Sequence, residues 1–200
     1  AGNVLLEVGR HRLEGSRLGE DLVERVPGRL VDLLQRGRLS LVERVHVGDV
    51  IGKLGDPRFD DDAFGLPREE LLGFVEVPAG KFLMGSDEAE DPQSRHYEWP
   101  QHEVDLPQYW IGRYPVTVGQ FRKFLEDNGT PTNSVDSRNG VSNHPVVLVT
   151  WDEAMAYGEW LTEKLRTWKM TPEPLATLLR ERGRNSFRWR ITLPTEPEWE

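Results

Sequence analysis

The side chains able to do chemistry in this 200-residue chain are few and badly spaced for it. Three histidines stand between residues 90 and 150, His96, His102 and His144. Imidazole is the commonest metal ligand, and a metal site needs such ligands at short, regular spacing. His96 and His102 are six apart and His144 stands alone before Pro145, so they form no metal pair. His11 and His46 likewise have no ligand at useful spacing and read as surface residues. Four acids, Asp87, Glu88, Glu90 and Asp91, crowd one loop. Carboxylates suit calcium, but a calcium loop alternates its ligands around a central glycine. This loop does not, and it reads as solvated. Glu196 and Glu198 read as helix-start carboxylates, favoured by the positive end of the helix dipole, rather than as general acids. No Ser-His-Asp set, phosphate-binding glycine loop or deaminase signature stands out. Cysteine is absent, which removes disulfides, thiolate metal sites and thiol nucleophiles from these residues.

The bulk numbers narrow the classes further. A net charge of −9 disfavours a nucleic-acid role, because phosphate binding needs a basic face. Arg180 to Arg184, with Arg188 and Arg190, form a local basic cluster that reads as a solvated face. No apolar run approaches the roughly 20 residues of a membrane span. The opening AGNVLLEVGRHRLEG is too polar for a secretory signal. The expected address is the cytoplasm, with no membrane and no nucleic-acid partner.

Those residues must be held by two zones of different composition. Residues 1–58, rich in Leu, Val, Arg and Glu, read as a helical adaptor. Glu20–Val26 and Leu30–Leu34 read as short helices and Leu41–Leu54 as another, with Gly55 at its C-cap. The stretch DPRFDDDAFGLPREELLG carries two prolines and a run of acids, and residues 59–72 within it read as an acidic linker, with Phe59 to Asp62 open to proteolytic nicking. From residue 73 the pattern turns to strands. Phe74–Pro78 and Lys81–Gly85 read as a hairpin through Ala79 and Gly80, followed by strands at Val104–Leu106 and Tyr109–Gly112. Thr117, with Gln120 three residues on, predicts a capped helix to Leu125, ended by Gly129. Thr150, with Glu153, predicts a second helix to about Trp168, whose apolar stripe is Ala154, Tyr157, Leu161 and Leu165. Met170–Ser186 reads as loop or short helix, and Phe187–Leu193 as a strand. Thr195 and Glu198 form a third capping box, with Pro197 tolerated in the first turn. Strands and helices are segregated, so the class is α+β and a doubly wound sheet is disfavoured.

Four segments in order, FVEVPAGKFLMGS, YWIGRYPVTVGQFRKFLEDNG, HPVVLVTWDEAMAYGEWL and LPTEPEWE, resemble the first half of the formylglycine-generating enzyme, or sulfatase-modifying factor, family. The resemblance covers about Phe74 to Glu200 and implies a C-type-lectin-like fold. It fits a domain anchored by Trp110, Phe121, Phe124, Trp151, Tyr157, Trp160 and Trp199 and capped by Thr117, Thr150 and Thr195. It also implies that a second half follows the LPTE motif. In the family's oxidases the copper-binding cysteine pair lies there, as do most structural calcium sites. Related sulfoxide synthases hold iron through a His-x3-His-x-Glu pattern outside this fold, and no such spacing occurs here. Where the family often writes AYCxWL, this chain has Gly158 in place of the Cys, which costs a helix roughly 1 kcal/mol and suggests close backbone packing.

These observations lean away from catalysis. The expected function is a non-catalytic sensor or display module in a larger bacterial protein, a retroelement-diversified variable protein being one form. It would bind a protein or small-molecule ligand and work with other domains of the same polypeptide. The alternative is a copper- and oxygen-dependent oxidase converting a substrate cysteine to formylglycine. A further alternative is a protease substrate or partner in a defence assembly. Catalytic, cofactor and metal residues are assigned to none of these positions.

Overall fold

The computed structural model describes residues 2–13, 15–129, 139–180 and 189–200. Among the described residues the first zone holds four helices, α1 (Gly2–Val8), α2 (Arg10–Leu13), α3 (Arg17–Gln35) and α4 (Leu41–Leu54). α3 is one helix where two short ones were expected. Pro27 sits inside it and removes one backbone donor. Leu22 and Val26 before it and Leu30 after it still pack on Leu5, Val50 and Leu54, and that shared apolar stripe carries the helix through. Ser40 caps α4, donating its N–H to Glu43 at 2.8 Å, and Gly55 stands at the C-cap.

The strands hold a second departure from expectation. β1 (Phe59–Asp60) pairs with β2 (Leu66–Pro67). β3 (Phe74–Val77) pairs with β6 (Tyr109–Gly112), and β4 (Gly80–Met84) with β5 (His102–Leu106), all antiparallel. The expected hairpin at Ala79 and Gly80 does not form, because the chain runs straight on there. Val77 faces Tyr109, and three residues later Gly80 faces Leu106, three residues earlier, so both ladders share one register. They are one long ribbon interrupted where Pro78 and Pro107 fall. Proline has no N–H to give a ladder, so it breaks the pairing without turning the chain. The true reversal is the loop from Gly85 to Gln101.

Among the described residues four more helices follow, α5 (Val118–Asn128), α6 (Trp151–Thr167), α7 (Leu175–Arg180) and α8 (Glu196–Trp199). Thr117 and Gln120 exchange backbone and side-chain hydrogen bonds at 2.7 and 3.3 Å, and Thr150 and Glu153 do so at 2.7 and 3.2 Å. These boxes satisfy amides that the first helical turn leaves without partners. α5 and α6 meet through Phe121, Phe124, Tyr157 and Trp160, all buried, whose rings touch edge-on, tilted or stacked at 5.3–5.9 Å. Trp160 Nε1 donates to Asp127 at 2.7 Å.

The stretch 59–72 packs into this core. Leu66 is buried in it, Leu72 lies against it, and Phe64 meets Trp160 and Trp168 edge-on. Phe64 and Leu72 adopt positive φ to do so, a backbone strain of order 1–3 kcal/mol each that the apolar contacts offset. Two expected anchors stand outside the core: Trp151 is 67% exposed and Trp199 76%. Both follow a capping Thr closely, and the capped first turn turns them to the surface. Residues 189–195 form no strand, since they lie on α6 through side-chain bonds instead of a ladder. Phe187 and Arg188, the start of the expected strand, lie outside the described residues.

Gly158 shows why a glycine interrupts α6. A Cβ there would stand 2.6 Å from the carbonyl oxygen of Ile191. Next to it the Thr162 hydroxyl donates to the Gly158 carbonyl at 2.7 Å and accepts the Ile191 N–H at 2.8 Å. The missing side chain lets residues 189–194 lie on the helix. Helix propensity alone predicts that Gly158→Ala stabilises the fold by about 1 kcal/mol. The contact with backbone predicts the opposite sign, a loss of about 1–3 kcal/mol, readable by urea denaturation.

The two zones are braced through residues 141–145. Ser142 donates to the Gly52 carbonyl at 2.6 Å, and Asn143 to the Gly48 carbonyl at 3.0 Å and to Asp56 at 2.9 Å. His144 Nε2 meets Asp49 at 2.7 Å. A Cβ on Gly52 would stand 2.2 Å from Asn143 Oδ1, so glycine sets the approach. On its other side the segment accepts the Val118 and Gly119 amides, both at 2.8 Å, satisfying the start of α5. The Asp56 side chain is only 2% exposed and ion-pairs with Arg58 at 2.6 Å. Burial pushes its pKa up, but hydrogen bonds from Arg58 and Asn143 and the Arg58 charge outweigh it and hold the carboxyl below its usual range. A lowered folded pKa stabilises the fold above the ordinary carboxylate value, and that stability is lost as pH falls through the folded value. Unfolding measured against pH should therefore show stability falling below about pH 4. Asp56→Asn should flatten that acid limb and cost about 1–3 kcal/mol at neutral pH.

Candidate functional site

An apolar crevice of about 380 Å³ opens between the ribbon and the helices. β6 gives four consecutive residues to it, Tyr109, Trp110, Ile111 and Gly112, and Phe74 of β3 adds one more. Tyr157, Leu161 and Leu165, from the apolar stripe of α6, form its floor. Leu175, Leu178 and Leu179, spaced to share one face of α7, form a second wall. Trp189, Ile191, Leu193 and Trp199 close the last side, with Trp189 39% and Leu193 41% exposed at the mouth.

Arginines hold this last wall in place. Arg166 donates to the Leu179 carbonyl at 2.8 Å and to that of Trp189 at 3.4 Å. Arg180 donates to the Arg166 and Trp168 carbonyls at 2.9 and 2.7 Å, occupying acceptors at the end of α6. The Arg180 guanidinium of the expected basic cluster is thus spent on backbone. Arg182, Arg184 and Arg188 lie outside the described residues. Tyr109 donates to the Glu198 carbonyl at 3.0 Å and ties α8 to the ribbon. Burial pushes the Tyr157 phenol well above its usual pKa, so it is neutral at any physiological pH. The Trp110 indole N–H is buried and has no hydrogen-bond partner among the described residues.

A second, more polar cleft of about 690 Å³ lies between α3 and the start of α5. Its charges are of both signs and partly spent, with Lys123 pairing Asp61 at 3.1 Å. It has no common chemistry to offer a ligand.

The structure scatters the histidines. His96 stacks edge-on with Tyr97, His102 Nδ1 meets the Pro100 carbonyl at 2.9 Å, and His144 belongs to the brace. His46 is exposed and meets Asn3 at 3.1 Å. Asp87 and Asp91 accept amides of their own loop, Ala89 at 2.9 Å and Gln93 at 3.1 Å. Glu198 accepts the Thr195 N–H and hydroxyl, both at 2.8 Å. Of the ten residues singled out as core or caps, Trp110, Tyr157 and Trp199 line the crevice. Thr117, Thr150 and Thr195 start helices, and Phe121, Phe124 and Trp160 fill the core. Trp151 serves neither. Sequence reasoning missed the α7 wall and the role of residues 189–193. The one available signal was the spacing of Leu175, Leu178 and Leu179.

Residues 61–200 match the sulfatase-modifying factor enzyme 1-like domain. Hercynine oxygenase of Mycolicibacterium smegmatis is 31% identical over 123 residues, 46% of this chain and 29% of the oxygenase. Serine/threonine-protein kinase pkn1 of Chlamydia caviae is 32% identical over 120 residues, 50% of this chain and 19% of the kinase. Formylglycine-generating enzyme of Thermomonospora curvata is 28% identical over 199 residues, 69% of this chain and 64% of the enzyme. The chain thus spans less than two thirds of each of these relatives. Among solved structures, PvdO from Pseudomonas aeruginosa is similar at a TM-score of 0.40 and 28% identity, over 46% of this chain and 40% of that one. The match over residues 61–200 brings with it an α+β, C-type-lectin-like fold, and the chain belongs to the sulfatase-modifying factor enzyme 1-like domain family.

Proposed function

We propose that this chain is a non-catalytic polypeptide-binding module, a recognition part of a larger bacterial protein. The apolar crevice carries this reading. Its volume lies in the range of ligand sites, its walls are aliphatic and aromatic, and few polar groups reach it. Aromatic residues at a mouth of this kind are the usual anchors of protein recognition. Fold alone does not choose among functions, since one fold hosts many chemistries, so the site has to decide.

The match to formylglycine-generating enzyme favours a second reading, a copper-dependent oxidase. The residues present do not fit its metal. Copper(I) selects thiolate and thioether ligands, and this chain has no cysteine. Among the described residues no three His, Asp or Glu side chains converge. No step of an oxidase mechanism is derived from these residues.

Leu193 offers a direct test. It is 41% exposed at the mouth of the crevice, so Leu193→Arg should leave the fold intact. Ten-residue peptides selected by display on this chain should bind it, and the substitution should weaken them at least tenfold in calorimetry. Peptides indifferent to Leu193→Arg would place binding elsewhere and overturn the reading.

A further inference from the structure

Two glycines flank residues 141–145, one from each zone. A Cβ on Gly52 of α4 would stand 2.2 Å from Asn143 Oδ1 and 2.4 Å from Val141 Cγ1. A Cβ on Gly119 of α5 would stand 3.0 Å from the Ser142 carbonyl oxygen. The segment is seated between two helices, each of which gives up a side chain to let it in.

Hydrogen bonds run through the segment from one helix to the other. The Ser142 hydroxyl donates to the Gly52 carbonyl, while the Ser142 carbonyl accepts the Gly119 amide. His144 is used in the same way, with its imidazole on Asp49 and its carbonyl on the Val118 amide. Val118 and Gly119 open α5, where amides have no acceptor within the helix. The Thr117 hydroxyl accepts the Gln120 amide, so the two amides before it are left to the segment.

The seat also carries an unmet cost. Asn143 Nδ2 donates to the Gly48 carbonyl and to Asp56, two acceptors, and this fixes which way the amide points. Its Oδ1 is left buried beside Gly52 with no partner among the described residues. A buried acceptor without a partner opposes its own burial, and release of α4 would relieve it. A docked and a released arrangement of α4 therefore compete.

We infer that residues 141–145 are a coupling strap through which the first zone controls the order of the start of α5. A contact or pull that shifts α4 withdraws Ser142 and His144, and the first amides of α5 lose their acceptors. Loosening α5 weakens the hold on α4 in turn, because coupling between two sites is reciprocal. The helical zone is thus a regulatory element of the domain, whatever the crevice holds.

Hydrogen exchange of the full chain carrying Gly52→Ala or Gly119→Ala tests this. Helix propensity favours Ala over Gly, so a purely local effect slows exchange in the substituted helix and leaves the other helix alone. Coupling predicts the reverse across the strap. Gly52→Ala should speed exchange at the Val118 and Gly119 amides about five- to tenfold, and Gly119→Ala should do the same at Val50 and Ile51. The Ala154 amide, bonded to the Thr150 carbonyl at the start of α6, is the control and should not change. Exchange unchanged across the strap in both variants overturns the inference. If a variant speeds Ala154 equally, the whole chain has opened and Ser142→Ala decides. That substitution removes only the bond to Gly52 and keeps the carbonyl that serves Gly119. Faster exchange at Gly119 with Ala154 unchanged then supports the strap, and wild-type exchange at Gly119 overturns it.

Discussion

Everything in the second zone hangs on the contact between α5 and α6. Phe121 and Phe124 come from one helix, Tyr157 and Trp160 from the other, and all four are buried. Burial of each ring contributes about 1.5–3 kcal/mol, with somewhat more from their edge-on and stacked geometry. The residues 59–72 close over this cluster, the ribbon lies beside it, and the crevice floor is the same α6 stripe one turn further on. With few regular elements, the domain has little else of comparable size to bury.

Polar contacts then decide where the surrounding segments lie. Thr117 starts α5, and the amides that follow it are accepted by residues 142 and 144, which also reach α4. A helix start, an inter-zone brace and a buried Asp56 are thus one continuous set of bonds. On the far side, Gly158 and Thr162 seat residues 189–194, and Arg166 and Arg180 fix α7 to the end of α6. The crevice is the gap left between segments held by these two sets. Its apolar character follows from the core it is cut from, and the ribbon forms one of its walls.

Sequence made the local features plain and the non-local ones obscure. Thr117 with Gln120 and Thr150 with Glu153 are three residues apart, so their capping chemistry is written in one short stretch. The family motifs are likewise local and ordered. The ribbon was misread at Ala79 and Gly80 because a Pro-Ala-Gly stretch looks like a turn, and only the distant partner Pro107 shows that it is a break in a continuous ladder. The acids Asp60 to Asp62 gave residues 59–72 the composition of a linker, while Phe64 and Leu66, which carry the packing, reach the core only through a backbone strain that no composition announces. Trp151 and Trp199 show that residue type does not fix burial when a cap sets the direction of the first turn. The crevice gathers residues from 66 to 199, and no spacing rule links them.

We propose the crevice beside β6 as the place where this chain holds a polypeptide. Hydrogen exchange of the full chain, with and without a selected peptide, tests it most directly. A polypeptide held in the crevice should slow exchange at the amides of residues 109–112 and 189–193 and leave the brace at 141–145 unchanged. Protection confined to α3 and the start of α5, or spread over none of these segments, would contradict it.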